Sequence, residues 1–439
     1  MSFVIALRSN RYQSWFVCFS AALFFFFEFI QLNMFNAIGP YLVTDLKITA
    51  PMLATISDKY FLANILFLFP AGMLLDRIST RKAIIVGFLV SILCTYLFAI
   101  SDAIWQMKWA RFITGVAGSL CLLSCVRLAS RWFAARQMAL VIGLIVTFAM
   151  VGGMLAQTPL LFLINYFGWR NAVIVDASFG ILLLMLVFIF VQDRPPHSPE
   201  GETHPLSLSR ADFWKSLLLT ARNSQNWLCG LYTSLMNLPI FLLGAIWGIF
   251  YLTQVRYLSS HGASFVTLML FVGVIVGSPA AGWASDRWRR RKLPMIMGAI
   301  FSLIFILLLM LLPTISVGVA MALFFGIGFM TSTQIISYPL IAESNSIKLT
   351  ATAEGLASTL IMAGGFTQDL FAYLMHFSWD HQYANGVPVY SAQSYFIGMS
   401  IMPVAFALSL VLTFFLRESY CKPYRGDYEQ YNDHVSTQY

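Results

Sequence analysis

Glu28 stands in the run FFFFEFIQL, with Gln31 three residues on and Phe35 seven residues on, all on one face of a helix. An acid set among phenylalanines is costly in its ionised form. The chemistry that fits such a place is proton exchange: uptake on one side of a barrier and release on the other. Gln31 beside it could hydrogen-bond a polar solute. Other apolar runs are interrupted in the same way, by Arg111 in WARFITG, by Asn237 and by Gln334. A guanidinium there could hold a carboxylate or act on Glu28, and the amides could bond a solute. Arg127 lies 16 residues after Arg111, about 24 Å along a helix, so one small solute cannot touch both. Its place near the end of its run also fits a side chain reaching to lipid headgroups. Asp58, Lys59 and Asp176 fall near the ends of theirs and are expected as gate or surface charges. Tyr60 and Trp247 could stack on a solute, although aromatic side chains in such runs more often pack.

The elements that position these residues follow from composition. Of 439 residues 59% are hydrophobic and only 10% charged, with a mean hydropathy of +0.75, too few charges to cover a water-soluble surface of this size. A hydrocarbon core about 30 Å thick takes roughly 20 helical residues to cross. Twelve stretches qualify: 14–43, 53–75, 82–101, 103–131, 138–167, 170–191, 226–253, 263–285, 293–312, 316–342, 351–376 and 393–416. They are long and continuous, where barrel strands would alternate in polarity over about ten residues, so helices are expected. No small-residue cleavage site follows a short apolar core in the first, which is expected to remain in the chain. Between 192 and 225 hydrophobicity drops and Pro, Ser, Gly and charge mix, as in a linker. The expected organisation is a six-helix bundle over 1–191, the linker, a second six-helix bundle over 226–416 and a tail over 417–439.

The formal net charge is +8, and its distribution points to a membrane and away from nucleic acid. With both termini cytoplasmic, 21 of the 27 Lys and Arg lie on or near cytoplasmic segments, from Arg8 and Arg11 to Arg425; Lys47, Lys59, Lys108, Arg111, Arg170 and Arg256 remain outside. Anionic headgroups are the partners such charges imply. The six cysteines fall mostly inside apolar runs, so no disulfide framework is expected. Cys121 and Cys125, one turn apart, have no His or carboxylate next to them and are expected to pack; no metal or cofactor is expected.

One pattern occurs twice. Residues 72–84 read GMLLDRISTRKAI and residues 282–294 read GWASDRWRRRKLP, 210 positions apart and each after the second span of its half. Repetition at the same address marks a duplicated architecture. Gly72, Leu74, Asp76, Arg77, Arg81 and Lys82 resemble the signature loop of the major facilitator superfamily, with a looser copy at Gly282, Asp286, Arg287, Arg291 and Lys292. Arg111 to Gly115 is similar to the RxxxG motif of that family, and GGMLAQTPL with the later GWR is similar to a bacterial subgroup. The resemblance covers the whole chain. It departs at Trp288 and Arg289, where a small residue is usual, and in lacking the Gly-Pro pair typical of antiporters.

The resemblance implies an all-α membrane protein of twelve transmembrane helices in two pseudo-symmetric six-helix bundles, monomeric, multi-pass in the bacterial inner membrane. It implies a latch in which Asp76 and Asp286 face helix ends of the opposite half while Arg77, Arg81, Lys82, Arg287 and Arg291 bond acidic groups and lipid phosphates. It also sets spans one, four, seven and ten around a cavity, which makes Glu28, Gln31, Arg111, Asn237 and Gln334 the expected solute-binding residues and Glu28 the proton-coupling acid. The expected activity is secondary transport of a small polar solute, an organic anion or an amino acid-like molecule, by proton symport. Export of an amphiphile, or uptake of a nucleoside or sugar, would use the same groups. No GxxxxGK[ST] loop is present for an ATP-driven pump. Its six histidines fall in loops, tails or span ends, with no ligand pair for an intramembrane enzyme. A receptor would need a sizeable soluble module, for which linker and tail are too short.

Overall fold

The computed structural model describes residues 13–47, 50–156, 158–194, 217–377, 383–384, 387–388, 390–422 and 424. Arg8, Arg11, most of the expected linker and the tail from 425 onward lie outside the described residues.

Long apolar stretches become helices because a backbone in hydrocarbon must satisfy its own N–H and C=O groups. Eleven stretches among the described residues are long and apolar enough to cross a membrane: Gln13–Asn33, Thr55–Leu75, Thr80–Ile100, Ile104–Trp132, Ala135–Phe167, Trp169–Phe190, Ser224–Gly244, Phe265–Trp288, Lys292–Leu311, Val317–Ser344 and Ala392–Phe415. They are spans 1 to 10 and span 12. Span 11, expected over 351–376, is made of Thr350–Ala363 and Thr367–Phe377 joined by a 3-10 turn at Gly364–Phe366. A two-residue hairpin, Tyr383–Ala384 with Val387–Pro388, lies between spans 11 and 12.

Local chemistry sets several helix starts. Side chains of Ser79, Asn223, Ser259, Ser316 and Ser391 accept backbone N–H bonds at the helix ends that open spans 3, 7, 8, 10 and 12, satisfying donors that have no intrahelical partner. Two spans depart from α geometry inside the bilayer. Span 7 carries a π-helical stretch at Ile240–Trp247, just after Asn237. Span 10 tightens to 3-10 at Ser332–Ile336, where the hydroxyls of Thr331, Ser332 and Thr333 bond back to carbonyls three or four residues earlier.

The two six-helix halves meet along span 2 against span 11 and span 5 against span 8. Both crossings are backbone-close. A Cβ on Gly72 would lie 2.2 Å from the Ala351 carbonyl oxygen, and one on Gly282 would lie 2.4 Å from that of Ala139. These glycines open the two motif copies, and each abuts the opposite half, so the sequence repeat is a repeat in space. We call the end carrying residues 76–82 and 286–292 the basic end. At the other end Phe35–Asp45, Thr158–Phe167, Gly248–Gln254 and Thr367–Phe377 pack chiefly within their own halves, so the molecule is shut at its basic end. Exposed Val86, Leu93, Ile100, Phe188, Val404 and Phe414 form the surface that lipid covers.

Gly72→Ala and Gly282→Ala should each lower stability by about 1–3 kcal/mol through overpacking, measured by thermal unfolding in detergent. Gly318, whose added Cβ would meet nothing within 4 Å, should tolerate alanine within about 0.5 kcal/mol. Equal responses at all three positions would contradict the close crossing.

Candidate functional site

Spans 1, 2, 3, 4 and 6 bring polar side chains to one place in the first half. Glu28, 1% exposed, accepts hydrogen bonds from the Tyr60 hydroxyl at 2.9 Å and from the Ser91 hydroxyl. Gln31 donates through Nε2 to Asp176 Oδ2 at 2.5 Å, and its Oε1 accepts from Thr95 Oγ1 at 3.1 Å. Arg111 Nη1 donates to the Gln31 carbonyl oxygen at 3.0 Å. Space for this arrangement depends on Gly118: a Cβ there would stand 2.5 Å from Tyr60 Oη and 2.7 Å from Glu28 Oε2.

Arg111 is the unusual member. It is 1% exposed, and its guanidinium carbon lies 4.6 Å from the Phe35 ring centre and 4.8 Å from that of Tyr60, a cation–π arrangement. Its Nε and Nη2 have no hydrogen-bond partner among the described residues. Those two atoms form the side-on edge that grips a carboxylate or phosphate through two parallel bonds. Leaving such donors buried and unmatched is costly, and an anion is the kind of group whose chemistry would match this edge. Tyr60 links it to the acid, with its hydroxyl on Glu28 and its ring under Arg111.

The second-half candidates lie apart from this group. Gln334 Nε2 donates to Asn237 Oδ1 at 3.1 Å, leaving Gln334 Oε1 buried without a partner. Among the described residues no hydrogen bond or ion pair joins this pair to Glu28, Gln31 or Arg111.

At the basic end, Asp76 reaches across the halves. Its Oδ2 accepts from the Thr352 N–H and hydroxyl, both at 2.7 Å, and its Oδ1 from the Ala351 N–H at 3.2 Å, at the positive end of the helix that opens span 11. Arg127 Nε lies 3.6 Å from Asp76 Oδ1. Burial pushes the Asp76 carboxyl up from the ordinary carboxylate range, against Arg127 and the donated bonds, which hold it down. The second copy answers in the opposite sense: Asp286 Oδ2 accepts from the Leu140 N–H of span 5 at 2.8 Å. Arg291, fully buried, joins Asp286 at 2.6 Å, Glu343 at 2.5 Å and the Ala135 carbonyl of the other half at 2.5 Å. Burial works against its charge, and Glu343 and Asp286 more than restore it, so its pKa is raised. Arg77 Nη1 bonds the Met73 carbonyl and Arg81 Nη2 the Phe188 carbonyl, while Lys82 and Arg287 are exposed.

Several of these partners were not foreseen. Asp176 is buried against Gln31, not placed at a gate or surface; its eighth place in Trp169–Phe190 was the available signal. Arg127 is 2% exposed and paired with Asp76, not reaching to headgroups. Ser91, Thr95 and Glu343 carry no mark in sequence, because only packing gives them partners.

The model of the Major Facilitator Superfamily matches residues 18–368. The "Probable hexose phosphate transport protein" of Chlamydia muridarum is 24% identical over 315 residues, covering 65% of this chain and 68% of that protein. The "Membrane sensor protein UhpC" of Salmonella typhimurium is 24% identical over 370 residues, 80% of each chain. Among solved structures, the Escherichia coli fucose:proton symporter FucP superposes with a TM-score of 0.69 over 92% of this chain and 98% of that one at 14% identity, a likeness of fold.

Gly118→Ala should destabilise the chain, and less so in a Tyr60→Phe background, because the hydroxyl that the new methyl meets is then gone. A double-mutant cycle in thermal unfolding should give a coupling of at least about 0.5 kcal/mol; additive losses would contradict the contact.

Proposed function

The chain belongs to the Major Facilitator Superfamily, and from that premise we propose that it is a proton-driven secondary transporter of a small anionic solute, an organic acid, an amino acid-like molecule or a phosphorylated compound. The observation that carries this reading is the unmatched side-on edge of Arg111, buried beside the Tyr60–Glu28 pair. With Glu28 ionised, the charges of Glu28 and Arg111 offset each other. A proton on Glu28 leaves the guanidinium uncompensated in a low-dielectric site, and an anion becomes the favourable partner. Proton and solute therefore promote each other's binding, and by linkage the effect is reciprocal. That reciprocity is what a symporter needs.

In the proposed cycle the basic end is cytoplasmic, following the positive-inside asymmetry, and both termini lie there too. The halves 1–191 and 226–416 rock about the site. Loading from outside neutralises it; the Asp76 and Asp286 contacts then break, and the proton and solute leave inward. Asn237 and Gln334 would complete the solute's shell from the second half as the halves close over it. Among the gating group, Arg77, Arg81, Lys82 and Arg287 would hold the loops to their own half and to anionic headgroups of the bacterial inner membrane, and Arg291 would tie the two halves directly. We take the working unit to be the monomer. Proton-coupled export of an amphiphile, and uptake of a nucleoside or sugar, leave the Arg111 edge unexplained. A sensor that binds such an anion without moving it is the second reading, favoured by the sensor relative.

In liposomes with an imposed pH gradient, labelled anionic solutes should accumulate through the parent chain, and Glu28→Gln should abolish that accumulation. Anion binding should tighten as pH falls in the parent and lose that dependence in Glu28→Gln. Binding without accumulation in the parent would favour the sensor. Arg111→Lys removes the two-bond edge and should raise the half-saturating concentration roughly 10–100-fold, at about 1.4 kcal/mol per tenfold; an unchanged value would remove Arg111 from solute binding.

A further inference from the structure

Span 11 carries an acid that the scheme above does not use. Glu354 lies one turn into Thr350–Ala363, is 0% exposed, and neither carboxylate oxygen has a hydrogen-bond partner among the described residues. No Lys or Arg among the described residues forms an ion pair with it. An ionised carboxylate deprived of water, donors and counter-charge is strongly disfavoured, whereas a neutral carboxylic acid is tolerated. Among the described residues its surroundings offer no compensating charge. Cys229 of span 7 and Tyr338 of span 10 are within electrostatic reach, and both are neutral in ordinary conditions. From span 2, Asp76 is engaged by Arg127 of span 4, Ala351 and Thr352; from the end of span 10, Glu343 is engaged by Arg291. On its own helix Glu354 is the only ionisable residue.

Its position is as telling as its isolation. Thr352, two residues earlier, donates to Asp76 through both N–H and hydroxyl. Gly355, the next residue, lies against span 2, where an added Cβ would stand 2.7 Å from the Leu68 carbonyl oxygen. The helix turn that holds the latch therefore also holds the orphan acid, and pulling span 11 from span 2 opens the wall next to it.

We infer that Glu354 is a second proton-binding site, occupied while the Asp76 latch is engaged and emptied when the latch opens. The proton sits on a carboxyl oxygen in the shut state; on opening, the O–H bond breaks and the proton passes to water entering from the basic end. The release step rests on the alternating-access reading, and the neutral shut state does not. Placed in the second half, this site is separate from Glu28 in the first.

Two measurements on the full chain in lipid vesicles test this. In infrared spectra at neutral pH, the carbonyl band of protonated carboxyl groups should lose one component in Glu354→Gln, an isosteric stand-in for the neutral acid, and keep it at a shifted position in Glu354→Asp. A band unaltered by Glu354→Gln means an ionised Glu354 and overturns the inference. Spin labels at positions 82 and 290, both exposed at the basic end, should report a distance that lengthens on alkalinisation in the parent, and part of that response should disappear in Glu354→Gln. Asp76 is common to both chains, so the difference isolates Glu354; identical pH responses overturn the coupling. Neither readout needs a solute or the Glu28 site, so failure here is distinct from failure of the transport reading.

Discussion

The shut state depends on carboxylates that cross from one six-helix half to backbone N–H groups of the other. Asp76 satisfies the opening turn of span 11, and Asp286 accepts from the Leu140 N–H, at the sixth residue of the helix Ala135–Leu155 in span 5. A helix start buried against another protein surface must find acceptors, and an aspartate buried there must find donors. Each need answers the other only while the halves touch. The glycines that open the two motif copies bring the backbones close enough for the contact, which explains why glycine and aspartate recur together 210 residues apart.

Spans 2 and 4 connect this end to the central site. Tyr60 and Asp76 are 16 residues apart on span 2, and Arg111 and Arg127 are 16 apart on span 4, each pair separated by about 24 Å of helix. The two helices meet at both levels: Arg111 over the Tyr60 ring at 4.8 Å, and Arg127 against Asp76 at 3.6 Å. Under the proposed cycle, a change in the charge held at Glu28 and Arg111 would act on the same two spans that carry Asp76 and Arg127. This is a physical route along which the proposed coupling could run through packed helices.

Much of the fold was legible in the chain. Most of the twelve apolar stretches fell within a few residues of the observed helices because bilayer thickness fixes helix length, while the first and seventh ran about ten residues past the spans that end at Asn33 and Gly244, and the duplicated motif marked the two carboxylates that cross between the halves. Glu28 and Arg111 announced themselves as charges in apolar runs. Less legible were the partners. Asp176, Arg127 and Glu343 acquire theirs from helices far away in sequence, and no local pattern encodes which helix faces which. Glu354 is inconspicuous in sequence for a related reason: in ATAEGLAST it sits among small and hydroxylated residues near a span's start, where an acid looks solvated until span 2 packs over that end. The π-helical stretch of span 7 and the 3-10 turns of spans 10 and 11 were equally hidden, since they answer to packing at the bundle centre more than to propensity.

The central claim, that cross-half carboxylates hold the basic end shut, is most directly tested by electron–electron resonance distances between labels on the two halves in Asp76→Asn, Asp286→Asn and the double variant. An amide can still accept one bond but cannot pair with Arg127 or Arg291 or favour a helix N-terminus by its charge. The account predicts a growing population of longer distances at the basic end, largest in the double variant. A distance distribution identical to the parent's in all three would contradict it.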